Sequence, residues 1–540
     1  MAVSGVRRGR PIQPTSPIED QIPGRVHRVA WLLRVNRLYG WDERLVKAEG
    51  FAKEFRGGCS RRSADRAQVS RWERGTEQAN HLVIRRYEEI LGVRPASLTS
   101  VADMIYREVD HGGGSQRLFR RIDPNDEHVR ATTANLLDAA ESGTMTGSDW
   151  DTLTTYLAVS RKRKVPWDLI SRRLLLEMTI SHGEEWQLRS VAISRMIADS
   201  RSELAVVQAC GDLVRDIDNQ VFIEPLLLLE SSEHPQSASQ IVRHATNPLN
   251  EHAHQGAWWA AAEKITQGHF NDRQKEALGR EALALLNEDT HLPGCRVAAA
   301  ELLRWMPPVG SIAATALRRA VLRDKAAASI IAGGRTMQAV ASQMVIQRVA
   351  CRALQRLPRD VLDSDPILER LLDEMLHHPQ LSTRVMAVQM VAATPYRLPV
   401  AAALITELDR RLSCRESSTI LPIIHAIGTL GGNDSRKAIE RIALDVATPP
   451  DVADAAIWAI AHVDSRIGDE FWQAVRMRLQ RRLNPEYALR GMAYVGGICG
   501  RGDWLDELKN DRTTPPSART AARWWLNLPA HLKTATPCNP

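Results

Sequence analysis

The chain has 540 residues, 44% apolar and 25% charged, which is the composition of an ordinary folded protein with room for several domains or one long array. No stretch approaches the ~18 uncharged apolar residues of a membrane-spanning helix, and the Arg- and Pro-rich start lacks the apolar core of a secretion signal, so a cytoplasmic protein is expected. The net charge of +7 is unevenly spread: residues 1–100 carry 19 Lys+Arg against 11 Asp+Glu, a net of +8, leaving −1 for the remainder.

Residues 1–24 hold Arg7, Arg8, Arg10 and four prolines without periodicity, so a disordered basic tail is expected there. Val26, Val29, Ala30 and Leu33 then follow helical spacing and predict a first helix from about Val26 to Leu38. Asp42 can cap a second helical stretch with Phe51, Ala52 and Phe55 as its apolar stripe. After a loop over 56–64, Asp65 and Gln68 have the spacing of a capping box that closes on itself. Val69 and Trp72 share one face of the next helix, and Gly75 sits where a left-handed residue ends it. Trp72 is expected in the core. Asn80 can cap a fourth helix built on Val83, Tyr87, Ile90 and Leu91 and stopped by Gly92, and Ala102 to Val109 adds a last one. Gly112, Gly113 and Gly114 are too costly in backbone entropy to lie in a helix, so a flexible linker is expected over 111–125, with a domain covering 25–110 before it.

The helix from Asp65 to Arg74 presents amide, hydroxyl and guanidinium groups on the faces away from Val69 and Trp72. Gln pairs with adenine, Arg with guanine and Ser with phosphate, so this face has the chemistry of a major-groove reader. The run Val69-Ser70-Arg71-Trp72-Glu73-Arg74-Gly75 resembles the end of the recognition helix in the lambda-repressor-like (XRE) helix-turn-helix family, and Phe51-Ala52-Lys53-Glu54-Phe55 resembles the family's second helix. The loop at 56–64 is longer than the family's turn, and Ala48 stands where the family often has Gln. The resemblance implies that Arg66, Ala67, Gln68, Ser70, Arg71 and Arg74 face double-stranded DNA, with Arg61 and Arg62 of the longer loop on phosphates. It also gives Arg7, Arg8 and Arg10 a second reading, as an arm reaching phosphate or the minor groove.

From about Asp126 onward nearly everything reads as helix, in segments punctuated by Pro, Gly or Asn-Asp. Arg296-Val-Ala-Ala-Ala, Arg348-Val-Ala-Cys-Arg-Ala and Arg384-Val-Met-Ala-Val resemble one another, and Ala-rich stretches near Ala455, Ala488 and Ala521 continue at one or two steps of roughly 33 to 36 residues. The pattern resembles HEAT-like repeats, in which Arg-Val-x-Ala opens the inner helix. An all-α chain is expected: a small helix-turn-helix bundle, a HEAT-like α-solenoid over 126–530, and a flexible tail at 531–540. Paired tryptophans such as Trp258-Trp259 and Trp524-Trp525 at helical spacing read as core.

Seven cysteines (Cys59, Cys210, Cys295, Cys351, Cys414, Cys499 and Cys538) form no C-x-x-C pair, so reduced, mostly buried thiols are expected, without disulfide or zinc. The histidines, His182, His377 and His378 among them, have no metal-ligand spacing, and Gly112–Gly114 lacks the Lys-Ser/Thr of a phosphate loop. No catalytic residue, metal or cofactor is therefore expected. The reading that results is a bacterial DNA-binding transcriptional regulator whose solenoid pairs two copies or holds a protein partner. The alternatives are a scaffold that uses the helix-turn-helix only for docking, as in phage defence or assembly, and an enzyme acting on DNA bases, against which the near-neutral solenoid speaks.

Overall fold

Local signals set most helix ends in the first hundred residues, and the computed structural model places α1 at Arg25–Tyr39, α2 at Ala48–Glu54, α3 at Arg66–Arg74, α4 at His81–Leu91 and α5 at Ser97–Val109. The structure describes residues 25–56, 63–109, 118–160, 164–216, 218–288, 293–307, 310–359, 361–412, 417–463, 467–480, 485–529 and 532. The expected N-terminal tail, the glycines at 112–114, and Arg61 and Arg62 lie outside these; of the tail expected at 531–540 only Leu532 is described, and it is buried in the core. Asp65 accepts the Gln68 amide at 2.6 Å, and Gly75 ends α3 at φ +73°. Asn80 accepts the Val83 amide at 3.2 Å, and Gly92 ends α4 at φ +63°. One expectation fails here: the Gln68 side chain does not return to the Asp65 backbone, because it is drawn to Glu77. Trp72 packs in the core as expected, its ring centroid 5.3 Å from that of Phe55.

Among the described residues every regular element is helical, with 28 α-helices and no strand. None is long and apolar enough to cross a membrane. Beyond residue 126 most helices pack on the next or the next-but-one helix, which is the arrangement of stacked helical pairs. Glu251–Lys264, for example, packs against Ile223–Leu228, Pro235–Thr246 and Pro293–Trp305. Small residues allow close approach: a Cβ on Gly497 would overlap the Trp525 ring. Trp258, Trp472 and Trp525 are buried, whereas Trp305 is 52% exposed.

The expected repeat starts hold in part. Arg296 and Arg384 lie in the first turns of Pro293–Trp305 and Leu381–Ala392, and Arg296 pairs with Asp324 at 3.0 Å. Arg348 does not open a helix: it lies inside Ala339–Leu354 and reaches Glu407 at 2.8 Å. The thiols also depart from expectation, since Cys210 and Cys295 are buried but Cys351 is exposed.

A further departure concerns residues 118–125 of the expected linker, the part of it that is described. Leu118 and Phe119, inside the expected linker, are buried, and the Phe119 ring lies 5.4 Å from His81 and 5.1 Å from the Arg195 guanidinium. Helix α1 is seated on distant repeats. Arg28 pairs with Glu374 at 2.7 Å, the Trp31 indole donates to Asp365 at 2.8 Å, and Asn36 donates to the Ala393 carbonyl at 2.9 Å. Trp31 also stacks on Tyr396, 6.1 Å between centroids and 4° between planes. On the other side, Asp103 of α5 pairs with Arg195 at 2.8 Å and Arg94 with Glu184 at 3.2 Å. One apolar core joins Val29–Phe119 to the repeats from Val345 to Leu532, while a second fills residues 137–330. The N-terminal helices are thus a wedge that bridges both halves of the repeat array.

Candidate nucleic-acid interface

Helix α3 packs against α1 and α2 through Val69 and Trp72, at 0% and 7% exposure. Glu73 points the same way, at 5% exposure, and receives the Arg37 guanidinium at 2.6 and 2.5 Å and the Tyr87 hydroxyl at 3.2 Å. Arg37 also donates to the carbonyl of Val46. The Trp-Glu of the motif is therefore a fastening between α3, α1 and α4, and Glu73 fixes the rotation of the helix about its own axis. A buried pair of this kind is costly to break from one side, by ~3–5 kcal/mol.

That rotation decides what faces outward. Arg66, Ala67, Arg71 and Arg74 are exposed, and Gln68 and Ser70 are half-buried beside them. Arg74 leans back to the Ser70 carbonyl at 3.1 Å and keeps its outer nitrogens open. Six of the eight residues expected at the interface thus share one continuous surface. Arg61 and Arg62, the other two, lie outside the described residues.

The surface contains a carboxylate that sequence reasoning passed over. The amides of Thr76 and Glu77 both donate to the Arg71 carbonyl, at 3.1 and 3.3 Å, so the chain after Gly75 folds back over the end of α3. Glu77 is brought onto the outer face, where Gln68 donates to it at 2.7 Å and Arg71 at 3.1 Å. Arg71 donates to the Gln68 side-chain oxygen as well. The two candidate base readers are thus tied to each other and to a local acid. The glycine that ends the helix was the signal: a left-handed turn places the second residue after it near the last turn. At 44% exposure the Arg71–Glu77 pair is worth only ~0.2–1 kcal/mol, less than the ~1–3 kcal/mol of a good bidentate base contact. The tie can be exchanged for a base edge.

Below this surface Glu88 caps α5, accepting the amides of Ala96, Leu98 and Thr99 at 2.9, 2.9 and 2.8 Å. Among the described residues no three His, Cys, Asp or Glu side chains are grouped to hold a metal ion. No family model matches the sequence, and no curated protein matches it. Among solved structures the chain is similar to an engineered protein from the Northeast Structural Genomics Consortium, at 14% identity over 76% of this chain and 97% of that one. The TM-score of 0.21 is too low for that likeness to carry an argument.

Proposed function

We propose that the protein is a sequence-specific regulator that binds double-stranded DNA through α3, with the helical-repeat body receiving a second copy or a protein partner. The observation that carries this reading is the outer face of α3, where Arg66, Gln68, Ser70, Arg71 and Arg74 lie together over an anchored Val69 and Trp72. The net of +8 in residues 1–100, against −1 in the remainder, supports it, because phosphate attraction is then concentrated in the part that carries α3. Unbiased DNA selection with the full chain, followed by titrations at several salt concentrations, tests it. Gln68→Ala or Arg71→Ala lowers affinity for the selected site by ~1–3 kcal/mol and relaxes base preference. Arg74→Ala weakens all sequences evenly and reduces the salt slope by ~0.9. Failure to enrich any sequence, or identical losses from all three changes on selected and random DNA, removes the reading.

The docking scaffold is the second reading. It is favoured by the apolar side chains left open on Ser311–Arg323 and Ala339–Leu354, where Ile312 and Leu322 are 87% and Val340 78% exposed. A scaffold would bind DNA without the base preference that α3 confers on a regulator.

A further inference from the structure

The near-neutral charge of the repeats is a sum of unlike parts. Residues 302–359 hold ten Lys+Arg and a single acid, Asp324, a net of +9, so the rest of the chain beyond residue 100 carries −10. Four of these bases are engaged: Arg304 with Glu301 at 3.4 Å, Arg335 with Asp373, Arg348 with Glu407 at 2.8 Å, and Arg359 with the carbonyls of Leu38 and Gly40 at 3.1 and 2.9 Å. Asp324 is spent too, on Arg296 at 3.0 Å and on the amides of Ala326 and Ala327 at 2.9 and 3.0 Å. Arg318, Arg319, Arg323 and Lys325 are exposed, and among the described residues their side chains form no ion pair or hydrogen bond. Three of the four belong to the helix Ser311–Arg323, one side of which is open. Ile312, Thr315, Arg318, Arg319, Leu322 and Arg323 fall along that side at helical spacing, while Ala320 is buried on the other. Ile312 and Leu322 are each 87% exposed and stand ~15 Å apart along the axis. The helix packs on Asp272–Asn287 and Lys325–Gly333. The next long helix, Ala339–Leu354, packs instead on Pro366–His377 and Arg397–Leu412, and leaves its own Val340 78% exposed. One apolar core ends at Ile330 and the other takes up its repeats at Val345, so Ser311–Arg323 is the last long helix before the seam between them.

We propose that this open side docks an acidic amphipathic helix of a protein partner, which takes the place of a covering helix at the seam. Apolar side chains about three turns apart on the partner sit on Ile312 and Leu322. Carboxylates beside them meet Arg318, Arg319, Arg323 and Lys325. Shape and charge select this occupant together. In a stacked helical array the face of one helix is buried by another, and here the stripe to be buried runs the length of Ser311–Arg323. Cations with no acid left among their neighbours are complemented by an acidic surface, and such matching sets the choice of partner. A nucleic-acid backbone would meet the cations and leave Ile312 and Leu322 in water. A lipid surface needs a broader apolar face than two side chains separated by arginines provide. The proposal rests on the reading that the repeat body receives a protein partner, and adds the face and the chemistry.

The experiment selects displayed helix-forming peptides of about 18 residues, randomised at their surface positions, on the immobilised full chain. The recovered pool is rich in Asp and Glu, with apolar residues roughly ten or eleven positions apart between them. A recovered peptide labelled with fluorescein then loses at least ~10-fold in affinity to Ile312→Ser with Leu322→Ser, and at least ~10-fold to Arg319→Ser with Arg323→Ser, by anisotropy. All four side chains are exposed, so both variants keep the melting temperature of the unaltered chain. A pool rich in Lys and Arg overturns the proposal, and so does a pool from which nothing binds. Peptides that bind both variants as tightly as the unaltered chain place the partner elsewhere, in which case the broader reading stands and this assignment falls. Random-sequence duplex DNA that loses affinity to Arg319→Ser with Arg323→Ser, where no peptide binds, would give these cations to phosphate and equally overturn it. Pairing of the full chain in sedimentation velocity that both variants abolish would assign the face to a second copy, with the same consequence. The selection contains no DNA, so its result is independent of α3.

Discussion

Arg195 fastens the N-terminal helices to the repeats, and Arg195→Met asks whether that junction is structural. The guanidinium is 3% exposed and donates to Asp103 at 2.8 and 3.1 Å, to the Asp151 side chain at 3.0 Å and to Thr154 at 2.6 Å. Removing it takes from Asp103 and Asp151, at 0% and 3% exposure, the guanidinium they share, while Arg107 stays 3.3 Å from Asp103. Breaking one side of a buried charge cluster costs ~3–5 kcal/mol. Burial already raises the Asp151 carboxyl, so without Arg195 it takes up a proton and limits the loss to that range. Urea unfolding of the full chain, followed by tryptophan fluorescence and circular dichroism, should show one transition with a lower midpoint and an unchanged slope. Asp103→Asn added to Arg195→Met should recover more than half the loss, since the orphaned charge is gone. A loss below ~1 kcal/mol, as for an exposed pair, would refute the reasoning. So would a separate early transition confined to the N-terminal helices, which would mark them as a hinged domain.

Glu77→Gln removes the acid that ties Gln68 and Arg71, and DNA binding at low salt should tighten about two- to fivefold by fluorescence anisotropy, in line with the ~0.2–1 kcal/mol of an exposed pair. Weaker binding would mean that Glu77 orders the surface and does not mask it. His252 and His377, at 4% and 5% exposure, are held neutral by burial, which pulls them to about 3 and about 4, with Arg490 and Arg335 adding to the effect. The unfolded chain protonates them below ~6.5, so their stabilisation is complete above that pH and falls by ~2 kcal/mol each by pH 5. Urea midpoints at pH 7 and pH 5 measure it, and a difference that survives replacement of both by Gln would point to other groups. Gly497→Ala drives a methyl group into the Trp525 ring and should cost ~1–3 kcal/mol, with hydrogen exchange speeding up in Glu486–Ile498 and Pro516–Asn527 first. Unaltered exchange there would show that the pair has room to slide.

What the sequence discloses is what is local. Asp65, Gly75, Asn80 and Gly92 act within four residues of themselves, so the ends of α3 and α4 are legible before any packing is known. Trp72 is legible because it shares a face with Val69. Glu73 is not, because a glutamate on a basic helix looks solvated until Arg37, 36 residues earlier, is found against it. Glu77 is hidden for a different reason: its position depends on the backbone turn after Gly75, and helical periodicity stops at that residue. The expected linker misleads because three glycines mark a break in the helix and carry no information on how the next residues pack. Leu118 and Phe119 lie just beyond and are apolar, and only the fold shows that Arg195 and His81 receive Phe119. The seating of α1 on the repeats is least legible of all. Arg28 and Glu374 are 346 positions apart, and no local pattern records such a pairing.

That distance along the chain also imposes an order in time. Helix α1 leaves a ribosome well before the repeats it packs on, yet Trp31, Tyr39 and Val35 share their core with residues from Val345 onward. At ~5–20 residues per second, the roughly three hundred residues between them take on the order of tens of seconds to emerge. Throughout that interval the nascent N-terminal helices would hold an apolar face open, together with Arg28 and Asn36, whose partners do not yet exist. The surface of α3 would acquire its final support only when the repeats from Val345 onward have been made. An incomplete chain would therefore carry an unfinished wedge, and the early helices are the natural place for a chaperone to hold on.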